Sequence, residues 1–381
     1  MIHLLEKPFA AGFALALFSL ALPGAEVPVV TQSNLVVRIM AANLTSGSKQ
    51  RYEDPGLRIF QGLKPDVVAI QEFNFASTNG NGTNTANAFR EMVNSAFGTN
   101  YTWFRETNPS GGAYNIPNGI ISRWPIRAAG SWVDDDTGVN DRGFAWARIG
   151  LPGSNDLYVV SIHLKANASD TARRGAEALQ LKGLIQSSNW SGGLLAVAGD
   201  CNIASAGEPA LATFNTYLTD TRMPTDTHAD PDTNAGRDER YDYVFTSSSL
   251  DALHVPCVLG AQSFANGLVF DSRTFAPLGA VSPVVATDSG ATGMQHMGVM
   301  HDFRITFSVT NMVAMPRPQL QILKTNVIRW PGVSNLVYHV QTSSTLSNWI
   351  AAGTATSAGT NFFFTNSVLA TNRLFYRVVY P

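Results

Sequence analysis

The middle of the chain contains five short apolar runs, and each of them ends abruptly in polar residues. The runs span residues 35–42, 66–70, 119–122, 157–162 and 194–199. Near-continuous apolar runs of this length are typical of strands whose two faces are both buried. The polar groups at their ends therefore lie where a rigid sheet commonly presents functional side chains.

Helical stretches separate these runs. We predict helices over residues 86–97 and 172–186. In the second helix, we expect Ala176, Leu179 and Leu184 to lie on the buried side. The alternation of strand and helix predicts an α/β fold in which helices cover the sheets.

The last part of the chain has a different pattern. Pro316 and Pro318 mark a linker after about residue 310. Short alternating stretches follow at residues 327–330, 336–341, 361–365 and 374–379, separated by Ser, Thr, Asn and Gly. This pattern predicts a small all-β, β-sandwich-like module over residues 316–381.

The N-terminus has the pattern of an export signal. Lys7 precedes an apolar run over residues 9–22, and small residues follow at 23–25. The run falls short of the roughly 20 residues that a membrane span needs. We therefore predict a signal peptide over residues 1–25, cut near Ala25, and a mature protein that is secreted, periplasmic or on the cell surface without stable membrane insertion. A buried core helix and an uncleaved anchor are the alternatives.

Composition narrows the classes of protein. The 381 residues carry a formal net charge of −2, with 45% hydrophobic and 14% charged residues. Such a chain can bury a full core, which argues against disorder, and it lacks the basic coat of a protein that covers nucleic acid. The two cysteines, Cys201 and Cys257, exclude a disulfide scaffold and a Cys-rich zinc module, although export would allow a disulfide between them.

Charge also distinguishes the end of the chain. Residues 311–381 hold five basic residues and no acidic residue, whereas every acidic residue lies at or before Asp302. An even spread would place about five acids in this stretch. The acid-free tail therefore supports a separate C-terminal module.

Carboxylates and an amide follow two of the apolar runs. Glu72 follows the 66–70 run, and a carboxylate at a buried strand end must be paired, hydrogen-bonded or metal-bound. Asp200 and Asn202 follow the 194–199 run two positions apart, which in extended backbone places both side chains on one face. An aspartate there can deprotonate a water while the amide donates to an anionic oxygen. A surface salt bridge for Glu72, and an Asx-turn for the other two residues, are the alternatives.

Two histidines and one more aspartate stand at comparable points. His163 ends the 157–162 run, and His296 lies in a short apolar segment further along the chain. Asp242 stands between aromatic residues before another apolar run. A single histidine is more often a satisfied core or rim residue, but a buried aspartate needs a partner and a histidine is a natural one.

Taken in order, these segments resemble the endonuclease/exonuclease/phosphatase superfamily over roughly residues 34–308. Each motif alone is weak, whereas the ordered set is specific. The matching motifs are Asn43, Gln71-Glu72, residues 118–123 followed by Trp124-Pro125-Ile126, residues 162–165, residues 199–202, residues 240–244 and the late histidine His296. Residues 316–381 also resemble β-sandwich modules appended to secreted bacterial proteins.

The resemblance implies a four-layer fold, in which two mixed sheets pack face to face and helices lie outside. It also implies that Glu72, helped by Asn43, holds a divalent cation. Because the implied ligands are oxygens without clustered Cys or His, the site suits a hard cation. Mg²⁺ is favoured, and Mn²⁺ and Ca²⁺ are the alternatives.

The same resemblance assigns roles around the phosphate. Asp200 would position the attacking water, and Asn202 would hold the phosphate. His296, polarised by Asp242, and His163 would contact phosphate oxygens and stabilise the developing charge.

Two residues depart from the family pattern. Gln295 precedes the last histidine, where the family usually has Asp, which puts a second metal position or tight metal binding in doubt. Cys201 stands where the family commonly has Phe, and we interpret it as a packing change because a free cysteine behaves as a small buried apolar residue.

Two other charged segments have weaker interpretations. Residues 230–236 begin like a calcium loop but lack glycine at its sixth position, and Tyr241 stands where glutamate is needed, so we predict a solvated loop. Arg173 and Arg174 could contact a phosphate backbone, although a solvated helix face is favoured.

We therefore expect a secreted, metal-dependent phosphoesterase that hydrolyses P–O bonds by in-line attack of an activated water. A phosphodiesterase or nuclease is favoured, with a phosphate ester as substrate and nucleic acid as one candidate. The alternatives are a lipid or sugar-phosphate phosphoesterase, of the sphingomyelinase or phosphatase kind, and a non-catalytic surface-binding protein with a weakened site. The leaving group and the oligomeric state stay open.

Overall fold

A computed structural model describes most of the chain. The described residues are 15–19, 26–47, 50–75, 86–107, 115–135, 142–314, 319–324, 327–367 and 374–379. They divide into two units, one over Ser33–Phe307 and one made of the described parts of Met1–Gln32 and Ser308–Pro381. The predicted linker prolines Pro316 and Pro318 lie outside the described residues.

The strands and helices of the described residues are numbered in chain order. The strands are β1 (Leu15–Ser19), β2 (Glu26–Ala42), β3 (Val67–Ile70), β4 (Thr102–Arg105), β5 (Gly119–Ser122), β6 (Ile126–Trp132), β7 (Phe144–Gly150), β8 (Asp156–His163), β9 (Leu194–Asp200), β10 (Asp242–Thr246), β11 (His254–Val255), β12 (Cys257–Leu259), β13 (Gln262–Phe264), β14 (Leu268–Phe270), β15 (Gly298–Ala314), β16 (Gln321–Lys324), β17 (Val327–Pro331), β18 (Tyr338–Ser343), β19 (Ile350–Ala355), β20 (Asn361–Thr365) and β21 (Leu374–Val379). The helices are α1 (Asp54–Leu63), α2 (Ala86–Phe97), α3 (Thr171–Ser187), α4 (Pro209–Phe214) and α5 (Ser248–Asp251).

The larger unit contains two mixed sheets. One has the strand order β11-β15-β2-β3-β5-β4, with β14 also paired to β15, and the other has the order β10-β9-β8-β7-β6. Apolar side chains from both sheets, such as Ile39 of β2 and Val159 of β8, form one core between them. The neighbouring residue Met40 points to the opposite face, where it packs in a core with Phe60 of α1 and Met92 of α2. This alternation explains why β2 is apolar at consecutive positions: both of its faces are covered.

Helices cover the other sheet in the same way. Val160 of β8 and Val197 of β9 pack in a third core with Leu181 of α3 and Phe214 of α4. The order of layers is therefore helices, sheet, sheet, helices, as predicted. The α/β fold class with two mixed sheets is confirmed.

The smaller unit is all-β in its described residues, also as predicted. Its sheets have the orders β1-β21-β18-β19 and β16-β17-β20, and its core contains Trp330, Tyr338 and Phe362. The strand predicted over residues 336–341 begins later, at Tyr338, because Asn335 turns the chain with a φ of 63°.

The predicted signal peptide is described only at Leu15–Ser19, which pairs in parallel with β21. Cleavage near Ala25 would remove this strand from its sheet, so the export signal stays a prediction. Among the described residues, none of the helices is both long and apolar enough to cross a membrane.

Both cysteines are buried free thiols. Cys201 packs in the core beneath α3 and α4, and Cys257 packs in the core on the α1 and α2 side. The disulfide that export would allow is therefore not formed, and Cys201 fills space as predicted.

The predicted buried side of α3 is wrong for Ala176 and Leu179, which are exposed, and right for Leu184, which packs against the core. Leu179 is 62% exposed, whereas Arg174 and Glu177 are buried. Arg174 Nε and Nη2 each donate to Glu208 at 2.8 Å, and Nη1 donates to the carbonyls of Lys165 and Asn167. The buried side of the helix also contains Ala178, Leu181 and Ile185, so these apolar residues and the paired Arg174 share one face.

The same contacts correct both interpretations of the arginine pair. Arg174 is neither solvated nor available to phosphate, since its side chain is fully buried against Glu208. The Arg173 guanidinium is also paired with carboxylates: Nη2 lies 2.9 Å from Asp134 and Nε lies 3.5 Å from Glu177.

Glu208→Ala should lower the free energy of unfolding by about 3–5 kcal/mol, because it leaves the buried Arg174 guanidinium without its partner. The matched control is Arg127→Ala, which removes a half-exposed guanidinium from Asp156 and should cost about 1 kcal/mol or less. Urea denaturation followed by circular dichroism measures both. Equal losses in the two variants would contradict this account of α3.

Candidate active site

Strand pairing brings six predicted side chains to one edge of the sheets. β2 and β3 run parallel, as do β8 and β9, so the residues after each strand pair emerge on the same side. β10 runs antiparallel to β9, which places the start of β10 beside the end of β9. The side chains that meet are Asn43, Glu72, His163, Asp200, Asp242 and His296.

The Asp200 carboxylate is the centre of this cluster. Its Oδ2 lies 3.2 Å from Nε2 of His163 and 3.2 Å from Nε2 of His296. Asn43 Nδ2 donates to the same oxygen at 3.1 Å. Burial raises the pKa of Asp200, and repulsion from Asp242 adds to the rise, while His296 opposes it. A raised pKa makes this carboxylate a stronger base than an exposed aspartate.

The two histidines around Asp200 have opposite pKa shifts. For His296, burial lowers the pKa, but attraction by Asp200, Asp242 and Glu72 outweighs that effect and raises the pKa to about 10. For His163, burial lowers the pKa well below its usual value, and the nearby Arg142 guanidinium lowers it further. At neutral pH, the site therefore contains one cationic and one neutral imidazole.

Asp242 is the partner that orients His296, as the sequence suggested. His296 Nδ1 lies 2.9 Å from Asp242 Oδ2, and both residues are buried. With Nδ1 held by the carboxylate, Nε2 faces Asp200. This is the arrangement in which an aspartate fixes an imidazole and stabilises its positive charge.

The expected extended geometry of Asp200 and Asn202 is wrong. Asn202 has a φ of 49°, and its backbone N–H donates to Asp200 Oδ1 at 2.9 Å, which is the Asx-turn alternative. The Asn202 side chain donates from Nδ2 to the Leu164 carbonyl at 3.0 Å. The turn nevertheless keeps Asn202 beside the cluster, and its role toward phosphate stays a prediction.

Glu72 is buried and held by hydrogen bonds, which excludes the surface salt bridge. Thr45 Oγ1 donates to Oε2 at 2.6 Å, Gln50 Nε2 donates to Oε1 at 3.1 Å, and Asn43 Nδ2 lies 3.4 Å from Oε1. Burial raises the pKa of Glu72, although the Thr45 hydrogen bond opposes the rise. Neither Thr45 nor Gln50 was indicated by the sequence, because both lie in the loop after β2.

The residues around Glu72 fit a hard divalent cation. Glu72, Asp200 and Asp242 are buried carboxylates, whereas His296 is the one imidazole of the cluster whose pKa favours the charged form. Excess buried charge of one sign is costly unless an ion of opposite sign compensates it. Asn43 Oδ1 is buried without a hydrogen-bond partner, so an amide oxygen and a carboxylate are available as ligands.

A second group of possible ligands lies within the cluster around Asp200. Asp200, Asp242 and His296 offer atoms that lie within 4.8 Å of one another. The Gln295 side chain next to them is exposed, and its backbone carbonyl accepts from the Ala235 N–H at 2.7 Å. Gln295 thus adds no negative charge to this group.

The loop that begins like a calcium site is organised by an arginine instead. Arg237 Nη2 lies 3.0 Å from Asp226 and 3.1 Å from Asp230, and Arg237 Nη1 donates to the Asp232 carbonyl. The guanidinium occupies the position between the acidic side chains. The predicted solvated loop is right only for Ala235 and Gly236, which are exposed, whereas Thr233 in the same loop is buried.

Residues 31–264 match the family model described as the Endonuclease/Exonuclease/phosphatase family. The chain belongs to this family. Its members hydrolyse phosphate esters. A comparison with curated protein sequences finds no match.

Several solved structures are similar to this member of the family. An endonuclease/exonuclease/phosphatase from Beutenbergia cavernae is 16% identical, with 90% of this chain and 96% of that chain covered and a TM-score of 0.47. The human Nocturnin catalytic domain with bound sulfate is 14% identical, with coverage of 74% and 98% and a TM-score of 0.48. A family protein from Leptotrichia buccalis is 18% identical, with coverage of 70% and 99% and a TM-score of 0.46.

Glu72→Gln should weaken Mg²⁺ and Mn²⁺ binding by at least about tenfold, because it removes one negative charge where the oxygen donors converge. The matched control is Glu91→Gln, which removes an exposed carboxylate from α2 and should leave affinity unchanged. Isothermal titration calorimetry with each chloride salt measures the two variants. Unaltered affinity in Glu72→Gln would remove this residue from the metal site.

Proposed function

We propose that this protein is a secreted, divalent-metal-dependent phosphodiesterase. The observation that carries the proposal is the Asp200 carboxylate, which two imidazole Nε2 atoms approach to 3.2 Å while Asp242 holds one of those imidazoles from behind. A carboxylate base between a cationic and a neutral imidazole can accept a proton from the attacking water. The imidazoles lie where they can stabilise the negative charge that develops on the phosphate in the transition state.

Each residue has a defined task in this reaction. Asp200 orients a water and accepts its proton as the water oxygen bonds to phosphorus and the P–O bond to the leaving group breaks. His296 offers a positive charge, and His163 and Asn202 offer hydrogen bonds, to the phosphoryl oxygens. Glu72 and Asn43 would hold the cation, which supplies Lewis-acid stabilisation of the phosphate when bound.

Charge favours a diester over a monoester as substrate. The cluster already contains three carboxylates against one cationic imidazole, and a phosphodiester brings one negative charge where a monoester brings up to two. The arginines considered for a nucleic-acid track, Arg173 and Arg174, are occupied by carboxylates. These two arginines would therefore not contribute to a basic track for nucleic acid.

Asp200→Asn and His296→Asn should each lower kcat for bis-p-nitrophenyl phosphate by about 10²–10⁴-fold, because each removes a positioned proton acceptor or charge. The matched control is His228→Asn, an exposed histidine, which should leave the rate unchanged. Assays run with Mg²⁺ or Mn²⁺, with p-nitrophenyl phosphate in parallel, should show the diester to be the better substrate.

A panel of DNA, RNA, sphingomyelin and phosphomonoesters then identifies the leaving group. Full activity in both site variants would overturn the assignment of the site. Turnover without a divalent metal would contradict the proposed cofactor. A preference for monoesters would contradict the proposed diester substrate.

We also propose that residues 1–25 direct export, on the sequence pattern alone. Expressed in a Gram-negative host, the full chain should accumulate in the periplasm or medium with a new N-terminus near residue 26. Replacing Leu17 by Arg interrupts the apolar run and should keep the protein in the cytoplasm. N-terminal sequencing of each fraction decides the matter, and an intact N-terminus on exported protein would contradict cleavage.

A further inference from the structure

Thr233 lies directly behind the Asp242–His296 pair. Its Oγ1 donates to Asp242 Oδ2 at 2.8 Å, and this is the oxygen that lies 2.9 Å from His296 Nδ1. The Thr233 side chain is fully buried. One carboxylate oxygen is therefore shared between a hydroxyl and an imidazole.

The direction of the Thr233 hydroxyl proton is determined by its other contacts. Oγ1 accepts the backbone N–H groups of Tyr241 and Asp242, each at 2.9 Å. A hydroxyl has two acceptor positions and one proton. Since two N–H groups use the acceptor positions, the proton is left to point at Asp242 Oδ2.

The Asp242 carboxylate depends on this contact for its orientation. Oδ1 is buried and has no hydrogen-bond partner, so Oδ2 receives both side-chain hydrogen bonds. Without the hydroxyl, the carboxylate could turn and offer either oxygen to His296. The imidazole would then lose the fixed direction that points Nε2 at Asp200.

The backbone joins Thr233 to His296 as well. Met297 N–H donates to the Thr233 carbonyl at 2.7 Å, and Asn234 forms a β-bridge with His296. On its other side, Thr233 N–H donates to the Glu239 carbonyl at 2.9 Å. Thr233 is thus tied by hydrogen bonds both to the segment that contains His296, just before β15, and to its own loop.

We propose that Thr233 is a positioning residue, whose hydroxyl fixes the Asp242 carboxylate and, through it, the His296 imidazole. The inference rests on the proposed function and deepens it. Thr233 does not contact the phosphate, so its effect should fall on kcat and not on KM.

The test compares Thr233→Val, which keeps the branched shape without the hydroxyl, with Thr233→Ser, which keeps the hydroxyl. The matched control is Thr246→Val, since Thr246 is a buried threonine at the other end of β10. With bis-p-nitrophenyl phosphate, Thr233→Val should lower kcat by about 10–100-fold with KM changed less than about twofold. Thr233→Ser should stay within about threefold of the wild type, and Thr246→Val should match the wild type.

A second readout does not depend on hydrolysis. In protein labelled with ¹⁵N-histidine, the Nδ1–H proton of His296, assigned by its loss in His296→Asn, should move or broaden in Thr233→Val and be retained in Thr233→Ser. If the wild type does not hydrolyse phosphate esters, the proposed function fails, and this resonance alone still decides the role of Thr233.

Three results would overturn the proposal: an unchanged kcat and resonance in Thr233→Val, equal losses in the Val and Ser variants, or an equal loss in Thr246→Val. Thermal melting verifies that each variant is folded. If Thr233→Val does not fold, Thr233→Ala replaces it, because water can reach the two freed backbone N–H groups in the space that the smaller side chain leaves.

Discussion

β9 lies between β8 and β10 in a register that places His163, Asp200 and Asp242 side by side. A shift of one residue would turn Asp200 to the opposite face of the sheet and separate it from both partners. Gly199 allows the strands to come this close: its φ is 147°, and a Cβ there would lie 2.0 Å from the Ile162 carbonyl oxygen. A residue with a side chain would push β8 and β9 apart just before the Asp200 carboxylate.

The two sheets are also held together directly beneath the site. Gln71 Nε2 donates to Ser161 Oγ at 2.9 Å, and Ser161 donates to the Ile70 carbonyl at 2.9 Å, so β3 and β8 are joined by side-chain hydrogen bonds inside the core. Buried polar links of this kind have a defined geometry, unlike apolar contacts. They set the distance at which Glu72 of one sheet faces Asp200 of the other.

Much of the fold and site could be predicted because strand ends are visible in the sequence. The apolar runs end at Asn43, Glu72, His163 and Asp200, and the structure brings all four together. The residues that orient them could not be found in this way. Thr45, Gln50 and Thr233 lie in loops, and the path of the loop backbone decides whether a hydroxyl or amide there can donate a hydrogen bond to the site. The burial of Arg174 could not be predicted for a related reason. Its partner Glu208 is 34 positions away in the sequence, and an arginine without a nearby partner in the sequence is expected to be exposed.

The charge of the site explains how a chain without a basic coat can act on a phosphate. Three buried carboxylates would repel an anionic substrate, and one protonated imidazole cannot balance them. The Arg142 guanidinium adds a positive charge near His163, but its Nε and Nη2 donate to the His163 and Leu164 carbonyls, so these two groups are not free to bind a phosphate. A divalent cation beside Glu72 would offset this negative charge, so in the proposed function substrate binding and cation binding are linked. The net charge of the whole chain, −2, then has little influence, because attraction arises within a few ångströms of the phosphate.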